Sequence, residues 1–307
     1  GPRPAPHRRV RYTGELCALG TALCWATGSN VFAAAGRRMG PITLNRLRIV
    51  MAGVLLGVTL TVLRGAPWPF WATRPQVGWL ALSGLIGFVF GDSYYFRALV
   101  ILGPGRAALL ASLSPLFTAI VAWPVLGERP GPFTLAGMAL TVGGVAWVLF
   151  ERQQTSHDPI HGSVRTGVIA GVLAALGQAT GYVVSKLALR TGLDPFSATM
   201  IRVCAAAAAM WLWALVRGEA GRTLGAMADP RAAALMTAGA ALGPFLGVTL
   251  SLAALRYIEA GVAASITACY PVLAILISSR FHGERLTWRT LVGALVAVAG
   301  VVVLFRR

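Results

Sequence analysis

Of 307 residues, 56% are hydrophobic and 12% are charged, and the mean hydropathy is +0.70. A water-soluble domain carries about a quarter charged residues, so this composition, arranged in repeated apolar runs near twenty residues, points to a polytopic membrane protein. The net charge of +17 does not indicate nucleic acid, because the 27 Lys and Arg residues are scattered in ones and twos at the ends of apolar runs, with no basic face and no interleaved aromatics; they read as interfacial anchors that meet anionic lipid.

In chain order, residues 1–13 form a polar, proline-rich basic tail with Arg3, Arg8, Arg9 and Arg11. No short apolar core precedes a cleavage site, so a removable signal peptide is not expected. Ten transmembrane helices are predicted, at 14–35, 42–63, 77–101, 106–126, 132–150, 164–187, 195–216, 231–255, 261–280 and 287–305. The fold class is therefore an all-α membrane protein. Residues 14–150 make a first five-helix repeat, the polar stretch "ERQQTSHDPIHGSVR" at 151–165 a linker, and 166–307 a second five-helix repeat. His157 and His161 have metal-like spacing but fall in this solvated linker, so no metal site and no cofactor is expected. Cys17, Cys24, Cys204 and Cys269 all lie in apolar runs without CxxC spacing, which indicates neither zinc nor a disulfide framework.

The two halves repeat. At a shift of 156, Gly105 meets Gly261, Ala107 meets Ala263, Pro115 meets Pro271, and "GER" at 127–129 meets "GER" at 283–285. Gly137 and Gly144 meet Gly293 and Gly300, and Gly87 and Gly91 meet Gly243 and Gly247. Near the start the shift is 153, pairing "ATG" at 26–28 with "ATG" at 179–181. Five helices is an odd number, so the second half enters the membrane from the opposite side. That is an inverted repeat, an architecture that places a substrate site between the halves near mid-membrane. Lys and Arg counts on the two sides balance, so charge bias does not fix the orientation; the arginine cluster before the first helix favours a cytoplasmic start.

The stretch "GDSYYFRALVILGPGRAALLASLSPLFTAIVAWPVLGERPGPFTLAGMALTVGGV", with its second copy from "GVTLSLAALRYIEAGVAASITACYPVLAILISSRFHGERL" onward, resembles the half-repeat of the EamA-type drug/metabolite transporter superfamily. The shared features are a Gly-rich third helix, an aromatic and Ala-Leu stretch, a Ser-Pro in the fourth helix, and a Gly-Glu before a Gly-spaced fifth. The resemblance implies a ten-helix inverted-repeat carrier with both termini cytoplasmic. It also implies cargo drawn from amino acids, other metabolites or toxic compounds, often moved outward. The abundant aromatics are similar to those of the aromatic amino acid exporters.

Candidate substrate-binding residues follow from polarity inside apolar runs. Asp92 is the only acidic residue well within such a run, and a lipid-facing carboxylate there costs about 2.5–3.5 kcal/mol, so it must face the bundle interior or water. Helical spacing groups it with Phe88, Tyr95, Phe96 and Leu99. Three roles stay open: a scaffold pair with Arg48, Arg202 or Arg97, a seat for a substrate ammonium, or a proton-coupling site. Its matched position is Val248. Pro115 and Pro271 lie at equivalent depths and free the carbonyls of Ala111 and Thr267 for a substrate, or mark kinks satisfied by Ser112 or Ser114. Tyr270 precedes Pro271 and is expected to line the cavity. Trp25, Ser29 and Phe32 match Gln178, Tyr182 and Ser185, stripes that should avoid lipid; Trp25, Ser29, Gln178 and Tyr182 are assigned to the site. Gly87–Gly91 and Gly239–Gly243–Gly247 are close-packing spacings. Arg48 and Arg202, matched at a shift of 154, suggest symmetric anchoring. Glu128 and Glu284 read as caps of the helices that follow them, and Lys186 as a snorkelling end residue.

The expected function is secondary transport by alternating access in a bacterial inner membrane. The protein would export small metabolites, above all amino acids and aromatic ones among them. Its partners would be a small-molecule substrate and membrane lipids, with no nucleic acid, and it would work as a monomer. No catalytic residues are expected: GxxxxGK[ST], HExxH and GxSxG are absent. The alternative is a membrane-embedded enzyme acting on a lipid or isoprenoid, which would need a clustered His/Asp/Glu site; a passive channel would need a continuous polar lumen.

Overall fold

A computed structural model describes residues 12–102, 104–155, 163–273, 277 and 287–305. His157, His161 and Glu284 lie outside the described residues. The described chain is helical and contains no strand. In order, the helices are α1 (Thr13–Met39), α2 (Pro41–Arg64), α3 (Arg74–Gly84), α4 (Asp92–Leu102), α5 (Pro104–Ala111), α6 (Ser114–Leu126) and α7 (Pro132–Thr155). After the linker come α8 (Val164–Leu189), α9 (Pro195–Val216), a short α10 (Ala220–Gly225), α11 (Pro230–Ala240), α12 (Val248–Leu255), α13 (Ala260–Thr267) and α14 (Trp288–Phe305).

Local chemistry sets these boundaries. Thr73 and Gln76 form a capping box at the start of α3, with the Thr73 amide donating to Gln76 Oε1 at 2.8 Å. Asp194 caps α9 by accepting from the Ser197 amide at 3.0 Å, and Asp229 caps α11 through the amides of Arg231 and Ala232. Gly65 and Gly127 end α2 and α6 at φ of 77° and 71°, a conformation that side chains disfavour.

Seven helical stretches among the described residues are long and apolar enough to cross a membrane. Pro41–Arg64, Val164–Leu189 and Pro195–Val216 are single helices, whereas Arg74–Tyr95 and Pro230–Leu255 run through a change of helix type. Ala260–Leu273 and Trp288–Leu304 are apolar but shorter. Exposed Val54, Val58, Leu63, Trp123, Phe150, Leu212 and Leu295 give the outer surface the character of a lipid-facing wall, and the chain is a multi-pass membrane protein.

Two features depart from the predicted helices. Between α3 and α4, Leu85–Gly91 winds as a wider π turn, and between α11 and α12, Ala241–Gly247 does the same. The two turns coincide at the 156-residue shift. A π turn breaks the 3.6-residue period, so the stripe expected to run from Phe88 to Asp92 is offset within it. The helix predicted at 106–126 is also divided: α5 ends at Ala111 and α6 starts at Ser114, placing Pro115 in the first turn of a new helix. Its counterpart breaks at the matched place, with α13 ending at Thr267 and helix resuming at Tyr270.

Packing between the halves is reciprocal. α1 lies against α11, the second π turn and α12, while α8 lies against α3, the first π turn and α4. α2 packs on α9 and α7 on α14, each a helix against its own counterpart, and α6 packs on α13, the counterpart of α5. The last pair is the tightest. A Cβ on Gly144 would stand 2.7 Å from the Gly293 carbonyl oxygen, and one on Gly300 would stand 2.8 Å from that of Gly137, so only glycine allows the backbones this close. Gly137 meets Gly300 and Gly144 meets Gly293, so α7 and α14 run antiparallel. In the α2–α9 pair, Asn45 reaches Met210, Gly53 faces Val203 and Gly57 faces Met200, again antiparallel.

Candidate functional site

The polar centre of the molecule is built where the first π turn meets α8. Asp92, the first residue after that turn, receives two hydrogen bonds: Arg48 Nη2 donates to Oδ2 at 2.7 Å and Gln178 Nε2 to Oδ1 at 2.7 Å. Arg48 is itself oriented by donating from Nε to Asn45 Oδ1 at 2.8 Å, and its guanidinium lies 5.0 Å from the centre of the Phe32 ring. Side-chain exposure is 15% for Arg48 and 13% for Asp92, so the pair is sequestered from lipid yet not sealed. Gln178 Nε2 also donates to the Gly87 carbonyl at 3.1 Å. Gly91 admits Gln178, since a Cβ there would stand 3.1 Å from Nε2.

An aromatic group adjoins this centre. The hydroxyls of Tyr95 and Tyr270 are hydrogen-bonded to each other, and Tyr95 lies within electrostatic range of Asp92 and Arg48. Trp25 meets Tyr270 edge to face with ring centroids 5.9 Å apart, and its indole nitrogen sits against Gly247. Trp25 on Gly247 thus repeats Gln178 on Gly91, with the partner residues exchanged between halves. Gly28 against Gly243 and Gly181 against Gly87 are a second such couple, and Phe32 against Gly239 with Ser185 against Ser83 a third. Tyr182 donates to the Ser251 carbonyl at 3.0 Å.

Arg202 differs from its counterpart. It is 4% exposed, its guanidinium lies 5.0 Å from the Phe88 ring centre, and its Nε is buried without a hydrogen-bond partner. The expected symmetric anchoring of Arg48 and Arg202 is not what forms: Arg48 holds a carboxylate and Arg202 faces an aromatic ring.

A second ionic cluster closes one end of the bundle and corrects two sequence expectations. Glu128 does not cap α7. One carboxylate oxygen accepts from the Ala260 amide at 2.8 Å, at the start of α13 in the other half, and the other pairs with Lys186 Nζ at 2.6 Å. Lys186 therefore does not snorkel; it is 7% exposed and also donates to the Ile258 carbonyl. Arg190 completes the cluster by donating to the Leu126 carbonyl at 2.8 Å.

The structure thus brings together Asp92, Gln178, Tyr95, Tyr270 and Trp25, and places Tyr182 on the same helix as Gln178, one turn on. Pro115 and Pro271 are buried at the two helix breaks. Near the first break Ser112 Oγ donates to the Leu109 carbonyl at 2.6 Å, not to the Ala111 carbonyl expected to be freed by Pro115. Thr267 is buried and its hydroxyl has no hydrogen-bond partner. The side chains of Ser29 and Phe96 lie outside the described residues. Sequence reasoning missed Asn45 as the orienter of Arg48, and it missed both π turns; the glycines that flank and fill them at matched positions were the available signal. No group of three or more His, Cys, Asp or Glu side chains that could hold a metal occurs among the described residues. Two surface clefts lie elsewhere: one of about 340 Å³ beside Arg64, Trp71 and Asp194, and an apolar groove of about 590 Å³ between α2 and α9.

A helical membrane bundle with a charged and aromatic centre at the meeting of its two halves has the form of a carrier. Residues 12–150 match the EamA-like transporter family, and residues 165–306 match it again; the chain belongs to that family of transporters. Over 103 residues it is 35% identical to the aromatic amino acid exporter YddG of Ancylobacter novellus, a match spanning 34% of this chain and 32% of that protein's length. It is 29% identical to an uncharacterised protein of Pseudomonas aeruginosa over 263 residues, 85% of this chain and 82% of the other. A crystal structure with 19% sequence identity superposes with a TM-score of 0.73, covering 94% of this chain and 95% of its own, which is a likeness of fold.

Proposed function

We propose that this transporter exports small metabolites, specifically amino acids and aromatic ones among them, across a bacterial inner membrane by alternating access. In this reading ten spans form two inverted five-helix halves, both termini are cytoplasmic, and the monomer is the working unit. The antiparallel packing of α7 on α14 and of α2 on α9, each a helix against its counterpart, supports the inversion. The observation that carries the substrate assignment is the centre itself: Asp92, held by Arg48 and reached across the halves by Gln178, beside Trp25, Tyr95 and Tyr270. A carboxylate with unused lone pairs can take a substrate ammonium, and the aromatic faces suit a ring. The partial likeness to an aromatic amino acid exporter points the same way.

The test is flux from proteoliposomes preloaded with labelled phenylalanine, tyrosine, tryptophan and aliphatic amino acids, with and without a pH gradient. Aromatic amino acids should leave faster than from protein-free vesicles carrying the same load. Asp92→Asn should lower the rate at least about tenfold, the scale of one charge-assisted hydrogen bond. Absence of flux for every amino acid defeats the assignment, and full activity in Asp92→Asn removes Asp92 from the site.

A further inference from the structure

The two halves are alike in carrying an arginine at this position and unlike in its acid. Arg48 has Asp92 at 2.7 Å. Arg202 occupies the matched place in the second half, but the position corresponding to Asp92 is Val248, a buried apolar residue. Two guanidinium groups therefore share one carboxylate, and both oxygens of that carboxylate already accept from Arg48 and Gln178. Arg202 is more than nine-tenths buried, makes no hydrogen bond to Asp92, and has an unpartnered Nε. The Phe88 face 5.0 Å away offsets part of its charge but gives the buried Nε no acceptor. A buried donor left without one is costly.

Arg202 Nη2 packs against Gly87, next to Gln178. A Cβ on Gly87 would stand 3.2 Å from Arg202 Nη2 and 3.9 Å from Gln178 Oε1. The absent side chain at Gly87 thus leaves the guanidinium beside Gln178, which in turn holds Asp92. We infer that Arg202 is the anchor for a carboxylate on the transported molecule, received by the guanidinium next to Gln178 and Gly87. The inference rests on reading this seam as the transport site. It adds a specificity residue: the cargo supplies the acid that the second half lacks, and the fork geometry of arginine favours a planar carboxylate over a neutral amide.

The test uses phenylacetate and phenylacetamide, which are matched in size and differ in charge, with binding to the full chain in lipid nanodiscs measured by equilibrium dialysis of labelled probe. Phenylacetate should bind at least about tenfold more tightly. Arg202→Gln should erase that preference, and Arg202→Lys, which keeps the charge and loses the fork, should reduce it severalfold. The wild-type comparison stands even where a variant does not fold. Equal affinity for the two probes, no binding of phenylacetate at millimolar concentration, or a preference unchanged in both variants overturns the inference. Phenylacetate carries no ammonium, so the result separates from the amino-acid reading: Arg202-dependent binding of phenylacetate without amino-acid flux keeps the anchor and removes the amino acids.

Discussion

Single residues settle how charge is tolerated inside this bundle. Glu128 and Lys186 have side-chain exposures of 10% and 9%, and removing one partner of such a buried pair costs about 3–5 kcal/mol because the other charge stays behind. Glu128→Gln should therefore lower the thermal midpoint in detergent markedly. The double variant Glu128→Gln, Lys186→Met should recover most of the loss, a coupling that a double-mutant cycle measures. Additive losses would show that the two do not act as a pair. Asp229, outside the membrane segments, is held below the ordinary carboxylate range first by the Ala232 amide and then by Arg38. Its contribution is present above the usual aspartate pKa and is lost as pH falls through the lowered value. Asp229→Asn should accordingly lower the melting temperature slightly at neutral and alkaline pH and change little in acid below the lowered value, where the contribution is already gone. At this scale the sequence was half legible. Asp92 stood out because a lone carboxylate in an apolar run has few explanations, and Arg48 was among its possible partners. The fate of Lys186 was not legible, since a lysine near a helix end reads the same whether its ammonium reaches water or a distant glutamate.

At the scale of helices, glycine decides the spacing. Gly144→Val would push a side chain into the α14 backbone at Gly293 and Ala297, and overpacking of this kind costs about 1–3 kcal/mol or more. The expected outcome is a lower melting temperature and poorer yield, whereas Gly143→Val, whose Cβ meets nothing, should be tolerated. Equal effects at the two positions would remove the seam from the account. The helical class, the placing of single spans such as Pro41–Arg64 and Pro195–Val216, and the close packing at Gly87–Gly91 and Gly239–Gly243–Gly247 followed from periodicity and small-residue spacing. The π turns did not, because hydropathy patterns assume one period along a helix and a single wide turn changes only where the next face points. The breaks at 112–113 and 268–269 were visible only as prolines, and a proline does not announce whether it bends a helix or begins one.

At the scale of the molecule, the proposed inversion predicts that the loops after α2 and after α9 open on opposite sides of the membrane. Single cysteines at exposed Pro67 and Arg217, in a background free of other cysteines, should react with an impermeant thiol reagent from opposite compartments. Labelling from the same side would remove the inversion and the alternating-access reading with it. The glycine seam between α7 and α14 has a mechanical consequence. Main chains that touch without intervening side chains cannot slip past one another unless they first separate, so in the proposed alternating access this pair would be an axle rather than a gate. A disulfide stapling α7 to α14 should leave turnover running, and one stapling α1 to α12 should stall it.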